Sequence, residues 1–138
     1  MSVTPDAQRN REIVRRIYEA AFADDANDFT GAIHDDFEES VPPILTWGGV
    51  HRGPVAFMTT VLPRLAAAVV FPSMQLVSRS ADGDRVAALL SARSVSGAEL
   101  WIAEHWTMRD GKAFHLMVFY HDTTPLTGAS KSTGATVH

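Results

Sequence analysis

The dipeptide Asp110-Gly111 sits between two runs that alternate apolar and polar residues, Ala98 to Arg109 and Lys112 to His121. Asp-Gly suits a two-residue turn with positive φ at both positions, and such a turn joins antiparallel neighbours. It commits the second half of the chain to a meandering sheet. Asp82-Gly83-Asp84 and Ser96-Gly97 separate two further strand candidates, Met74 to Ser80 and Arg85 to Ser94. The first half has a different period. Thr4-Pro5-Asp6 is a helix start, with Thr as N-cap and Pro at the first helical position. Ile13, Ile17 and Ala21 then recur on one face, with Val14, Tyr18 and Phe22 beside them, and the helix is predicted to end near Asp24-Asp25. A second helix is predicted from Asn27 or Asp28, carrying Phe29, Ile33 and Phe37 inward. A short strand over Phe37 to Val41 is closed by Pro42-Pro43. Pro54 opens a third helix with Val55, Met58, Val61, Leu62 and Leu65, which Pro63 kinks or ends. Helices first and strands after is an α+β pattern. It implies three N-terminal helices packed on a strongly bent antiparallel sheet, a cone-shaped roll with an internal cavity.

Length and composition narrow the function. The 138 residues suffice for a single core, predicted to span 1–126. Residues 127–138 are small, polar and aperiodic, and are predicted to be disordered. The net charge of −4, with no basic stripe, argues against a nucleic-acid partner. The absence of cysteine excludes disulfides, thiolate metal sites and cysteine nucleophiles. The six histidines supply no pair at metal-binding spacing on one element, so no metal is expected. Gly-rich phosphate loops and Gly-x-Ser-x-Gly do not occur. The N-terminus is polar and the longest apolar run, Leu65 to Phe71, is too short to span a bilayer. The expectation is a soluble, cytoplasmic protein.

The two-residue period of a strand sorts side chains by face. Leu100, Ile102, Glu104, Trp106 and Met108 share one face, and Trp101, Ala103, His105, Thr107 and Arg109 share the other. On the last strand Phe114, Leu116, Val118, Tyr120 and Asp122 alternate with His115, Met117, Phe119 and His121, and the turn is expected to make the first set continuous with the Glu104 face. Trp101, Met117 and Phe119 then form an apolar outer set that helices cannot cover, which predicts a homodimer.

The blocks IVRRIYEAAFADD, DDFEESVPP, GGVHRGPVAF, EHWTMRDGK and FYHDTTPL, in that order, resemble the nuclear transport factor 2-like superfamily. Within it they are most similar to SnoaL-like proteins, the group around polyketide cyclases and relatives of ketosteroid isomerase. The resemblance spans residues 8 to 126. It implies a cone of helices on a bent sheet, dimeric through the outer sheet face, using carboxylates, histidines and tyrosines with no metal or cofactor. Glu104 falls where ketosteroid isomerases carry the protonated aspartate of their oxyanion hole, with Trp106 on the same wall. The competing reading is a strand-stitching pair with Arg93. Tyr18 lies one helical position from the isomerases' oxyanion tyrosine, or is a core tyrosine. Val41 stands where their catalytic aspartate would be, but Glu39 lies two residues earlier on the same face. The aspartate base of the cyclases would fall near Val118 or Tyr120, where this chain has no acid. Asp122 is nearby, as a polar contact or a turn cap. Trp47 and His51 flank the Gly48-Gly49 turn at the cone's entrance. His51 is an acid–base candidate or a surface histidine, and His105 a polar contact or an interface histidine. Leu116, Val118 and Tyr120 complete the expected ligand wall. The implied function is a cofactor-independent acid–base enzyme of cyclase, isomerase or dehydratase type. Its substrate would be a hydrophobic, carbonyl-bearing or polycyclic small molecule. The alternative is a non-catalytic binder of the same fold.

Overall fold

The computed structural model describes residues 5–22 and 31–127. Thr4, most of the predicted second helix and residues 128–138 lie outside the described residues. Helix α1 (Pro5–Phe22) buries Ala7, Asn10, Val14, Ile17, Tyr18 and Ala20, a stripe at helical spacing. Its opposite face carries exposed ion pairs of Arg15 with Glu12 and Glu19. Strand β1 (Ile33–Val41) follows, then β2 (Gly49–Arg52). Ile33 and Phe37 are therefore strand residues and not the inner face of a second helix. Strand β1 is nine residues long, and Phe37, Glu39 and Val41 alternate inward along it.

Helix α2 covers residues 54–68. It opens as Pro54–Ala56, widens over Phe57–Val61, and continues as Leu62–Ala68. In the wide turn the Leu62 N–H reaches back five residues to the Phe57 carbonyl. Pro63 is the reason: it has no N–H, and its ring would crowd the carbonyl four residues before it. The proline widens the helix and does not end it.

Strands β3 (Val69–Asp82), β4 (Arg85–Ser94), β5 (Glu99–Arg109) and β6 (Lys112–Tyr120) complete one curved sheet of order β2-β1-β6-β5-β4-β3. All neighbours are antiparallel except β1 and β6, which run parallel, so the sheet is mixed. Strand β3 begins five residues before the predicted start and includes Pro72. A proline is tolerated there because β3 is an edge strand and its register slips between Val70 and Gln75. The Ser73 hydroxyl accepts the Arg93 N–H at 2.9 Å across that slip.

At the β5–β6 turn Asp110 and Gly111 have φ of 54° and 74°, and Arg109 pairs with Lys112. Continued without interruption, this register would set Met117 beside Glu104. Strand β6 instead holds one extra residue, Phe114, between the Met108–Ala113 and Thr107–His115 pairs. The bulge restores Leu116 opposite Trp106 and Val118 opposite Glu104. Phe114 itself turns away from the inner set and packs edge-on against His34, with the Arg109 guanidinium 3.9 Å from its ring centre.

The core fills the concave side of the sheet under α1 and α2, where Phe37, Leu90, Leu100, Ile102, Trp106 and Leu116 are almost fully buried. Leu126, just past the sheet, closes it. Among the described residues no helix is long and apolar enough to cross a membrane.

The turn between β1 and β2 has one inflexible point. A Cβ on Gly48 would stand 2.2 Å from the Pro42 carbonyl oxygen and 2.8 Å from the Pro43 Cα, both backbone atoms. Gly48→Ala is expected to destabilise the fold by about 2 kcal/mol or more. Gly31→Ala, with nothing within 4 Å of the added carbon, is the control. Urea unfolding of the two variants measures the difference, and equal midpoints would refute the close approach.

Candidate active site

Across the concave face, three strands bring one row of side chains together. Glu39 on β1 pairs with Leu116 on β6, which pairs with Trp106 on β5. Glu104 lies two residues along β5 on the same face. Helix α1 lays Tyr18 over this row. Its hydroxyl donates to Oε1 of Glu104 at 2.6 Å and accepts the indole N–H of Trp106 at 2.8 Å. The Tyr18 and Trp106 rings meet edge to face, 5.7 Å between centres. Tyr18, Glu39, Glu104, Trp106 and Leu116 line one cavity of about 50 Å³, whose remaining wall is apolar. Phe57 and Leu62 come from α2, and Phe71 and Met74 from the start of β3. Phe22, at the end of α1, is partly exposed at the mouth.

The two carboxyls differ in what satisfies them. Glu39 is 3% exposed, and its Oε1 has no hydrogen-bond partner among the described residues. Burial first, and the neighbouring Glu104 charge second, push its pKa up to about 9. Glu104 is also desolvated, which raises its pKa to about 7, but the Tyr18 hydroxyl holds it down against that trend. Tyr18 itself is pushed well above the usual phenol range by burial and by the Glu104 charge. Near neutral pH the site therefore holds one protonated carboxyl, Glu39, and one near its midpoint, Glu104. The pair titrates as a coupled unit.

The other candidate residues fall elsewhere. Val118 is buried beside Glu104 on the same face. Tyr120, next along, has its phenol pKa raised by burial and by both glutamates, Glu104 before Glu39. His51 is the β2 neighbour of Glu39, but its imidazole Nε2 lies 2.7 Å from the Trp47 carbonyl and it does not line the cavity. Trp47 is buried against a separate groove with Pro63, Ala67 and Leu126. His105 sits on the convex face between Ala87 and Met117. Asp122 accepts the Thr124 N–H at 2.9 Å, which caps the last turn and holds its carboxyl below the usual range. Arg93 donates to the Gly97 carbonyl, not to Glu104. Among the described residues no group of three His, Asp or Glu could hold a metal ion.

Sequence reasoning missed Phe71 and Met74 as lining residues. The apolar run Leu65 to Phe71 was read only for membrane spanning and the strand was started at Met74, so the entry of Phe71 and Met74 into the cavity was not seen.

The SnoaL-like domain pattern matches residues 14–116. No curated protein is significantly similar to the chain. Several solved structures share the fold. One is Bal32a, from a soil-derived mobile gene cassette (17% identity, TM-score 0.76, covering 85% of this chain and 92% of that one). Another is TerC co-crystallised with polyporic acid (24% identity, TM-score 0.71, 86% and 98%). A third is a putative polyketide cyclase from Sinorhizobium meliloti (19% identity, TM-score 0.65, 78% and 94%). At these identities the likeness carries the fold and no activity.

The raised carboxyls have a stability consequence with a definite sign. In the unfolded chain a glutamate ionises near 4.5, while in the fold Glu39 does so at about 9. Between those values unfolding releases a proton, so stability is fully present below about pH 4.5 and is lost as pH rises towards 9. Glu39→Gln should flatten this slope. Glu39→Leu should be more stable than the parent at pH 9 by about 1–3 kcal/mol, since it removes an unpartnered buried group. Urea titrations at pH 5, 7 and 9 measure both. A parent stability that is flat or rising from pH 5 to 9 would count against the buried, neutral Glu39.

Proposed function

The chain belongs to the SnoaL-like family, and on that premise we propose that it is a cofactor-independent acid–base enzyme acting on a small, hydrophobic, carbonyl-bearing molecule. The observation that carries this reading is Glu39, a buried carboxyl with an unpartnered oxygen, lining the same apolar cavity as Glu104. A stable core does not need such a group, whereas a bound carbonyl oxygen satisfies it.

The protonation states suggest the division of labour. Protonated Glu39 donates a hydrogen bond to the ligand carbonyl oxygen. Ionised Glu104 removes a proton from the carbon next to that carbonyl. The C–H electrons form the C=C bond of an enol, and the oxygen takes the Glu39 proton as its charge develops. In each branch the enol O–H returns its proton to Glu39 as the carbonyl re-forms, and protonated Glu104 gives up the proton it took. Given to another carbon of a conjugated enol, that proton isomerises the ligand. Given to the oxygen of a second carbonyl as the enol carbon attacks it, the proton completes a cyclisation. Given to a departing β-hydroxyl, it leaves as water. This reverses the roles inferred from the sequence. There Glu39 or His51 moved the proton and Glu104 with Tyr18 served the oxygen. Here the Tyr18 hydroxyl is committed to Glu104 and favours its ionised form, which leaves Glu104 rather than protonated Glu39 free to accept a proton near neutral pH.

Ligand pockets commonly measure about 300–1,000 Å³. A cavity of about 50 Å³ therefore admits substrate by displacement of the side chains at its mouth, Phe22, Leu62, Leu65, Phe71 and Met74, which keep solvent exposure. The lack of an acid at Val41, Val118 and Tyr120, where the catalytic relatives carry theirs, favours the second reading, a binding protein without turnover. We propose further that a second copy of the chain packs on the convex face, a reading supported by the apolar patch that Leu89, Trp101 and Phe119 form there beside Met117. Light scattering at micromolar concentration should give twice 15.0 kDa, and a monomer mass would remove that part of the proposal.

Deuterium uptake from D2O at the α-carbons of cyclohexenones and tetralones tests the chemistry whatever product the full reaction yields. Exchange should follow a bell, rising as Glu104 ionises near pH 7 and falling as Glu39 loses its proton near pH 9. Glu104→Gln should lower exchange by about 10²–10⁴-fold and Glu39→Leu by at least tenfold. Ligands that quench Trp106 fluorescence but show no catalysed exchange would establish the binding protein instead.

A further inference from the structure

The three-membered chain Trp106–Tyr18–Glu104 has a direction that only its first member can set. An indole nitrogen donates and never accepts. Trp106 is 1% exposed, and its N–H points at the Tyr18 oxygen from 2.8 Å. With that lone pair occupied, the Tyr18 hydroxyl hydrogen turns the other way, onto Oε1 of Glu104 at 2.6 Å. A phenol and a carboxyl without the indole have two arrangements. The phenol donates to the carboxylate, or the protonated carboxyl donates to the phenol. The second arrangement puts the glutamate proton on Oε1, within the contact to Tyr18. The indole N–H disfavours this second arrangement, in which the Tyr18 oxygen would accept twice and its own hydrogen would lose Glu104 as acceptor.

We infer that Trp106 is a positioning residue: its N–H fixes the direction of the chain and thereby reserves Oε2 of Glu104, the oxygen not bound to Tyr18, for the proton that moves to and from the ligand. The inference rests on the enzymatic reading for the word ligand, but the direction of the chain is a property of the protein alone. It also assigns a job to Tyr18, which is to hold Glu104 in its accepting form. Charged and titratable groups around Glu104 are few. Tyr18 comes from α1, Tyr120 from β6 and Glu39 from β1, with His51 beside Glu39 on β2. The residues that α2 and β3 turn to the cavity are apolar. The titration of Glu104 is therefore readable once Glu39 is neutralised.

The test is a carbon-13 NMR titration of the glutamate carboxyls in the full chain carrying Glu39→Gln, with Glu104→Gln to assign the signal. Adding Trp106→Phe should raise the Glu104 midpoint by about half to one pH unit, roughly a three- to tenfold gain in proton affinity. In a Tyr18→Phe background the same Trp106→Phe change should add no shift, because the indole acts only through the phenol. A general loosening of the core would move both backgrounds alike, and an equal shift in both overturns the inference. So does no shift in the first. Should Trp106→Phe fail to fold, site-specific replacement of Trp106 by β-(3-benzothienyl)alanine keeps the shape, lacks the N–H and reads the same two outcomes. Deuterium exchange by the parent protein is scored separately, so failure of the enzymatic reading and failure of the chain's direction give different results.

Discussion

Phe114 has no opposite number on β5, and the alignment of the cavity depends on that one extra residue. The Asp110-Gly111 turn sets a register in which Met117, an outward residue, would stand beside Glu104. By absorbing one residue the bulge shifts β6 so that Leu116 and Val118 face inward beside Trp106 and Glu104. The parallel pairing of β1 with β6 then carries the same row across to Glu39. A one-residue slip in a strand exchanges its faces. Without the bulge, Met117 would enter the cavity and the Glu39 row would lose its apolar floor. Phe114 is held out of the sheet by its contacts with His34 and Arg109, so the bulge is a packed feature and not a fraying end.

Given that row, the site follows from what each carboxyl can find. Glu104 has a strong donor in Tyr18, and Glu39 has none for Oε1. Desolvation acts on both, yet only one is relieved by a hydrogen bond to its charged form, so their pKa values separate. Two like groups in one apolar cavity thus acquire different proton affinities through the placement of a single hydroxyl. Their mutual repulsion widens the gap, since a charge on Glu104 raises Glu39 further. This is the general way a fold obtains an acid and a base from two residues of the same kind.

Much of the fold was legible because it rests on local chemistry. Pro5 and Pro54 start helices, Asp110-Gly111 makes its turn, and period-two alternation separates Glu104 from His105. What was not legible depends on contacts between distant segments. Strand β1 reads as helix over Ile33 to Phe37 because its bulge breaks the alternation, leaving Asp35 exposed where an inward residue is due. The parallel β1–β6 pair carries no local signal at all. The continuity of Leu116, Val118 and Tyr120 with the Glu104 face was read from the turn, but it is the bulge that produces it. For the candidate site, side chains on one strand face were assignable and their partners were not. The Tyr18 hydroxyl bridges residues 86 and 88 positions away, a distance no pattern spans. Trp47 and His51 belong to a turn whose orientation is set by Gly48 against Pro42 and Pro43, not by anything in their own spacing.

The widened turn of α2 links the packing to the chemistry. Phe57, its first residue, packs against Phe37, which in turn lies beside Trp106. Leu62 and Leu65, beyond the turn, form part of the mouth. A regular helix over these residues would leave a carbonyl crowded by Pro63, so the wide turn is the local minimum for this sequence and not stored strain. Its effect is positional. The turn offsets the second part of α2 from the first, so that Phe57 stays in the core while Leu62 and Leu65 stand at the rim, partly exposed. The buried aromatic residues Phe37 and Phe57 therefore pack around the hydrogen-bonded chain, and the partly exposed Phe22, Leu62, Leu65, Phe71 and Met74 stand at the entrance. On the proposed reading, that division would let a ligand displace side chains at the mouth and leave the Trp106–Tyr18–Glu104 contacts in place.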